Sequence, residues 1–558
     1  MYRYDGYDHQ MLSDRVAQFR HQTDRFLAGK LSDAEFLPLR LQNGLYVQRL
    51  APMIRIAIPY GMLSSRQLRK LAFIARHFDK GYAHLTTRQN IQYNWPHLED
   101  VPDLLAQLAE VEMHAIQTSG NCIRNTTTDQ FAGVAVDELE DSRAYCEIIR
   151  QWSTFHPEFA YLPRKFKIAV CGTAIDQAAT QVHDIGIYIV PGPTGETGFR
   201  ILAGGGLGRT PVIGQEIFEF VEKPHLLTAL EAILRVYNRE GRRDNKYKAR
   251  IKILVRETGV DVFREKVHEE WRRIKDSALT LTDVEIARCK AFFKDPAYAE
   301  LTDKPEALTK QLAEDVLFSG WHQQNVRAHK RPGYAIVTVC MKETGVAPGD
   351  VTDQQLEHIA DLAERYSFGE VRISHQQNII LADVRQEQLA ELYCELKSQA
   401  LASANLGLLT DIICCPGGDF CALANAKSIP IAESIQRHFH DHDELTDIGE
   451  ANINISGCMN ACGHHHVGHI GILGLDKAGK ENYQITLGGD GTETATIGER
   501  TGPGFDADDL VPAIEAIVET YLNLREDAAE TFLQAYRRLG ADPFKQAIYS
   551  EKDEARAA

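Results

Sequence analysis

Residues 81–108, GYAHLTTRQNIQYNWPHLEDVPDLLAQL, and residues 369–396, GEVRISHQQNIILADVRQEQLAELYCEL, are two copies of one pattern. Each opens on glycine, runs through a β-rich segment to Gln-Asn-Ile, and ends in an amphipathic helix. A further strand and helix precede each copy. They are IRIAIPYGMLSSRQLRKLAFIARHF (54–78) in the first, and AIVTVCMKETG (335–345) with TDQQLEHIADLAERY (352–366) in the second. Strands alternating with amphipathic helices predict an α+β unit with helices against one face of a sheet. Its occurrence twice predicts an internally duplicated chain with a pseudo-twofold core.

A second repeat follows the first. HDIGIYIV with FRILAGGGLG (183–208) matches GHIGILGL with YQITLGGDG (468–491). Upstream, SGNCIRN (119–125) and LPRKFK (162–167) are expected to take the places that DIICCPGGDFC (411–421) and SGCMNAC (456–462) take in the second half. The first half then presents cations where the second presents thiols, and one metal cluster per chain is expected. Residues 1–108 and 310–398 are read as one paired module, 109–309 as a second domain and 399–558 as a third. The tail EKDEARAA (551–558) is expected to fray.

The thiols carry the clearest chemistry. Cys415 and Cys421 form C-x5-C, and Cys458 and Cys462 form C-x3-C. Four soft thiolates on two short glycine-bearing segments fit a cage for an iron–sulfur cluster. Structural zinc is the alternative, although its knuckles are normally C-x2-C or C-x4-C. Eleven cysteines, an odd number, fit poorly with complete disulfide pairing. Cys122, Cys146, Cys171, Cys289, Cys340 and Cys394 are expected as small buried hydrophobes. Cys414 adjoins Cys415, but the C-x5-C spacing favours Cys415. His464, His465 and His466 are consecutive, so their side chains diverge and are not expected to share a metal.

Composition excludes several classes. A net charge of −17 with no basic tail argues against non-specific nucleic-acid binding. No apolar run reaches the roughly 18 residues of a membrane span. The N-terminus MYRYDGYDHQMLSDRV is too polar for a signal peptide, so the cytoplasm is the expected location. GGGLGR (204–209) departs from the dinucleotide fingerprint, because Arg209 stands where the last glycine should be. With no flavin or nicotinamide site in the chain, electrons are expected from a separate partner.

C-x5-C with C-x3-C, Asn460 between the last two cysteines, and the segments TTRQNIQ (86–92), NCIRN (121–125) and LPRKFK (162–167) together resemble the siroheme-dependent sulfite and nitrite reductases. The resemblance spans most of the chain and is strongest to the assimilatory sulfite-reducing members. It implies paired ferredoxin-like half-modules plus two siroheme and iron–sulfur α+β domains. It also implies a [4Fe–4S] cluster on Cys415, Cys421, Cys458 and Cys462, with Cys462 bridging to the siroheme iron, and Asn460 among the cofactor-binding residues. Arg88, Arg124, Lys165 and Lys167 are implied to line the substrate face, where sulfite binds through sulfur, trans to Cys462. Arginine offers a fixed fork for oxyanions, and lysine a compact charge that can give up a proton. Arg250, Lys252 and glycines 204–206 are expected at the siroheme carboxylates.

The expected activity is six-electron reduction of sulfite to sulfide. Nitrite reduction to ammonia is the alternative that these motifs do not separate. The donor is expected to be a ferredoxin or a flavoprotein subunit. A non-catalytic iron–sulfur sensor would need the four cysteines, but would give no reason for the cations or the duplication.

Overall fold

The computed structural model describes residues 1–557, with side chains through Tyr549. The tail for which fraying was expected therefore lies outside the described side chains. Four five-stranded sheets organise the described residues, in two matching pairs.

The first pair exchanges strands. One sheet runs Leu45–Val47, Pro52–Ile56, Ile91–Tyr93, Tyr82–Leu85 and then Asp350–Thr352 from the second half. The other runs Val326–Ala328, Tyr334–Val339, Ile379–Arg385, Glu370–Ile373 and then Met62–Ser64 from the first half. Each donated strand leads straight into a helix, Ser65–Phe78 or Asp353–Tyr366. Both helices start on a capping box, Ser64 with Gln67 and Thr352 with Gln355, which satisfies the free N–H groups of the first turn. Their apolar stripes, Leu68, Leu71, Ala72 and Ala75 on one and Leu356, Ile359, Ala360 and Ala363 on the other, lie in a single core shared by both halves. Arg69 pairs with Asp361 at 2.6 Å and Arg76 with Asp353 at 2.7 Å across the two helices.

The Gln-Asn-Ile repeat has a physical cause. Gln89 and Gln377 both adopt left-handed backbone, with φ of 55° and 60°, which turns each side chain across the pseudo-twofold. Gln89 Nε2 donates to Ile373 O (3.1 Å), and Gln377 Nε2 donates to Leu85 O (2.8 Å). Their Oε1 atoms accept from the backbone of the outer sheets, from Thr128 N (3.1 Å) and Cys414 N (2.8 Å). The neighbouring Asn90 and Asn378 accept from Ile58 N and Met341 N at 3.1 and 3.0 Å.

The second pair of sheets repeats in register. Thr127–Thr128, Ile168–Cys171 and Ile185–Pro191 are parallel neighbours, with Thr197–Ala203 antiparallel beyond them. Ile413–Cys414, Ile453–Ser456, Ile470–Lys477 and Lys480–Leu487 repeat that arrangement. The pairings Ile168↔Ile185 and Ile453↔Ile470 make these residues equivalent.

This register corrects the expected correspondence of motifs. The first-half equivalents of Cys415, Cys458 and Cys462 are Asp129, Thr173 and Gln177, and not SGNCIRN or LPRKFK. The cationic segments precede strands of the first sheet, whereas the cysteine segments follow strands of the second. In the first half a hydrogen bond from Thr173 Oγ1 to Asp129 Oδ2 (2.6 Å) occupies the position of a cysteine pair.

Two further expectations change. Residues near 300, assigned from sequence to the 109–309 domain, lie along the second half-module: Tyr334 OH accepts from Ala299 N (3.0 Å), and Leu301 closes over Gly333. Cys394 is exposed and Cys122 only half-buried, while the other four scattered cysteines are buried as expected.

Replacing Gln377 with Leu strands the Cys414 N–H and the Leu85 carbonyl in a buried site. A loss of about 2–3 kcal/mol is expected, read as a lower unfolding midpoint in urea. An unchanged midpoint would show that the crossed amide does not hold the halves together.

Candidate active site

The thiol cage is built from two segments locked to each other. Cys415 leaves the strand Ile413–Cys414, and its N–H donates to Ile455 O (3.2 Å). One helical turn, Gly417–Phe420, carries the chain to Cys421, whose N–H donates back to Gly417 O (2.8 Å). Gly457 O accepts from Asn425 N and Ala426 N at 2.8 and 3.1 Å, which ties the C-x5-C loop to the C-x3-C loop. Weak donors face the sulfurs: Gly457 N–H to Cys415 Sγ (3.2 Å) and Asn460 Nδ2 to Cys458 Sγ (3.5 Å). A side chain at Gly457 would meet Ala426 O at 2.6 Å and Gly417 Cα at 2.8 Å, so the two loops approach as closely as glycine allows.

Burial first, then the charge of Cys462, pushes the Cys415 thiol up to about 12. Burial likewise raises Cys421 and Cys458, with Cys462 again contributing. The four thiols thus share one neighbourhood and repel each other's charge. Among the described residues no group of three or more His, Cys, Asp or Glu is spaced to hold a single metal ion. Cys415, Cys421 and Cys458, which resist ionising beside Cys462, suit a cationic iron–sulfur core, whose binding would displace their protons.

The opposing wall is cationic. Ile123 and Phe166 form a parallel bridge, and Arg124 N–H donates to Phe166 O (2.7 Å), so the NCIRN and LPRKFK segments lie side by side. Arg88 donates from Nη1 to Thr127 Oγ1 (2.9 Å) and from Nη2 to Asn125 O (2.7 Å). Arg124 grips its own loop at Thr118 O (2.6 Å) and Gly120 O (2.8 Å). These bonds fix both guanidinium groups, and each retains unused donors. Burial lowers Arg88 to about 9.

The backbone N–H of Lys167 donates to Asp184 Oδ2 (2.9 Å), but the ammonium groups of Lys165 and Lys167 make no hydrogen bond or ion pair among the described residues. Burial lowers Lys165 to about 8, with Cys462 pulling the other way and Arg124, Arg250 and Arg164 adding to the drop. Lys167 is pushed well below the ordinary lysine range, by burial and then by Lys165, Arg250 and Arg88. The influence of Cys462 on Lys165 places the C-x3-C segment close to the cationic wall.

Arg250 and Lys252 separate in role. Arg250 Nε donates to Asp184 Oδ1 (2.8 Å); its Nη2 is 2.7 Å from the same oxygen but poorly angled for a hydrogen bond, so that buried nitrogen has no partner. Lys252 Nζ donates to three backbone carbonyls, Gly206 (3.3 Å), Leu207 (2.8 Å) and Thr210 (2.5 Å). All three ammonium hydrogens are spent on the carbonyls of the glycine loop. At Gly206 (φ 151°) a side chain would meet Arg250 Nη2 at 2.8 Å. The same loop docks on the cysteine segment, where His466 Nε2 meets Gly208 O at 3.0 Å and Arg209 Nε contacts Met459 Sδ at 3.2 Å.

The three consecutive histidines do not all diverge as expected: the rings of His465 and His466 pack against each other with centroids 3.9 Å apart. His464 lies edge-on to His183 with ring centroids 6.2 Å apart, His465 is buried with both nitrogens unpartnered, and His466 holds the glycine loop.

The comparisons with known proteins fit this architecture. Residues 119–275 and 408–556 match the nitrite and sulphite reductase 4Fe-4S domain, and residues 48–111 and 330–399 match the nitrite/sulfite reductase ferredoxin-like half domain.

The chain belongs to the nitrite and sulphite reductase family. It is 27% identical to sulfite reductase [ferredoxin] 1 of Mycolicibacterium paratuberculosis over 86% of this chain and 81% of the relative. It is 28% identical to the assimilatory ferredoxin-dependent nitrite reductase of Haloferax mediterranei, over 88% of this chain and 82% of that one. The solved structure of the Mycobacterium tuberculosis NirA protein shares the fold, with a TM-score of 0.75, 24% identity and 92% coverage of both chains.

The protein is therefore an oxidoreductase of this family, and its cofactors are a [4Fe–4S] cluster and siroheme. The residues present fit both. The cage offers four thiols. The wall gathers half-buried Arg88, Arg124, Arg164, Lys165, Lys167 and Arg250, with Asp184 paired to Arg250, a concentration of positive charge suited to the eight carboxylates of siroheme. Among the described residues no helix is long and apolar enough to cross a membrane.

Sequence reasoning missed Thr87, His183, Arg164, His375 and Asp184. His375 had a readable signal, since it occupies in SHQQN the position that Thr87 occupies in TTRQN.

Gly457→Ala is expected to lose most cluster iron while the chain stays folded, because its methyl would force the two cysteine loops apart. Iron analysis alongside circular dichroism checks this, and wild-type iron content would refute the close-approach argument.

Proposed function

We propose that the chain is an assimilatory sulfite reductase. It reduces sulfite to sulfide with six electrons: sulfite, six electrons and seven protons give hydrosulfide and three waters. The observation that carries this reading is the pair Lys165 and Lys167, two ammonium groups with no protein partner beside two anchored arginines. Sulfite has three oxygens and up to two negative charges, whereas nitrite has two oxygens and one charge. A wall with two free lysines and two guanidinium groups answers the larger demand. The non-catalytic sensor gives no account of so many half-buried cations gathered at one place.

When bound, the cluster and siroheme would supply electron relay and a metal centre; Cys415, Cys421, Cys458 and Cys462 would hold the cluster, and Cys462 would link it to the siroheme. The chain's own residues handle charge and protons. Arg88 and Arg124, locked by backbone carbonyls, present fixed donors to the oxygens and do not reorganise as charge shifts. Lys165, lowered to about 8, is charged at neutral pH yet holds its proton weakly enough to give it to a departing oxygen. A bound dianion beside Lys167 favours its charged form and opposes the burial that disfavours it. Arg250, its head held by Asp184, would bind siroheme carboxylates, Lys252 supports the glycine loop, and Asn460 steadies Cys458. The electron donor is a ferredoxin, the partner for which both the sulfite- and the nitrite-reducing relatives are named.

Lys165→Ala and Lys167→Ala are each expected to lower sulfite kcat by about 100-fold with siroheme and iron retained. Wild-type turnover in either variant removes that lysine from the mechanism. Using one reduced ferredoxin, kcat/KM for sulfite is expected to exceed that for nitrite. The reverse order assigns the chain to nitrite reduction.

A further inference from the structure

Thr87 and Arg88 are consecutive, yet they serve opposite sides of the cavity. Arg88 belongs to the cationic wall. Thr87 Oγ1 donates to the backbone carbonyl of Cys462 at 2.8 Å, across 375 residues of sequence. Among the described residues this is the only hydrogen bond that Cys462 makes. Its side chain is exposed, unlike the buried Cys458, so local packing does little to hold it.

Thr87 is itself held. Its carbonyl lies 3.0 Å from Nδ1 of His375, contributed by the equivalent turn of the second half. Thr87 and His375 are both buried. Burial, then the Arg88 charge, lowers His375 to about 4, so the ring is neutral. A neutral ring that donates from Nδ1 fixes the tautomer, and the turn 86–90 is clamped from the opposite half. The chain of contacts runs from His375 to Thr87 to Cys462, with Arg88 rigidly attached to its middle link.

We propose that Thr87 is a positioning residue for Cys462, and that His375 acts through it. The hydroxyl fixes the peptide of Cys462, and so sets where its sulfur stands relative to Arg88 and Lys165. One short turn thereby sets the distance between the thiolate and the anion-binding wall. The inference rests on the role of Cys462 as the bridging thiolate.

The test compares Thr87→Val, which keeps the shape and removes the donor, with Thr87→Ser, which restores it. In the holoenzyme Thr87→Val is expected to retain iron and siroheme. Its siroheme absorption bands and reduction potential should shift, and kcat for sulfite should fall about tenfold with KM within twofold. Thr87→Ser is expected to match wild type, and His375→Ala to reproduce part of the Val effect, which His375→Asn should reverse.

A readout independent of turnover is the alkylation rate of Cys462 by iodoacetamide in cofactor-free protein, measured by peptide mass analysis. It is expected to rise about threefold in Thr87→Val and to stay at the wild-type rate in Thr87→Ser. If Thr87→Val has wild-type spectrum, potential and alkylation rate, Thr87 does not position Cys462. If wild-type protein reduces no sulfite while the alkylation difference persists, the proposed function fails and the positioning role stands.

Discussion

The crossed amides of Gln89 and Gln377 are the constraint on which the rest of the molecule depends. Each sits in left-handed backbone, donates to a strand of the opposite half, and accepts from the first strand of an outer sheet. Two side chains thus connect all four sheets. Each amide answers backbone groups that are buried and otherwise unpaired, so neither half can shift without stranding them. The exchanged strands Met62–Ser64 and Asp350–Thr352 reinforce the same joint. The cavity between cage and wall is placed by this joint.

On that symmetric frame the chemistry is asymmetric. The second half keeps thiols after its parallel strands. The first half closes the matching position with a hydrogen bond between Thr173 and Asp129. Conversely, Arg88 in the first half faces Gln376 as its second-half equivalent. The glycine loop shows the same division: Gly206 leaves room beside Arg250, whereas its equivalent Asp490 is filled by an ion pair with Arg537 at 2.8 Å. The second half thus carries the thiols and the first half the cations.

Much of this was legible in the sequence. The duplication could be read from Gln-Asn-Ile, because a glutamine at a φ of about 60° and its asparagine neighbour are required twice for one structural reason. The cysteine spacing pointed to the cage for a similar reason, since its ligands come in local pairs. The facing of motifs was harder. LPRKFK was matched to SGCMNAC by order along the chain, but the strands put one before and the other after equivalent positions, and only pairing register resolves that. Lys252 illustrates another limit: a lysine in a basic run gives no sign that its three protons will be taken by carbonyls of a loop 42 residues or more away. Thr87 carried no signal of its own, because its partner is a backbone carbonyl in the other half.

The central claim is that one cavity between the halves holds the anion with thiols behind it and cations before it. A structure of the cofactor-loaded protein soaked with sulfite tests this most directly. The account predicts siroheme stacked on the Cys462 side, with the sulfite oxygens within hydrogen-bonding distance of Lys165 Nζ and Lys167 Nζ. Siroheme or sulfite seated instead against the second-half equivalents Gln376, Glu450 and Asn452 would contradict it.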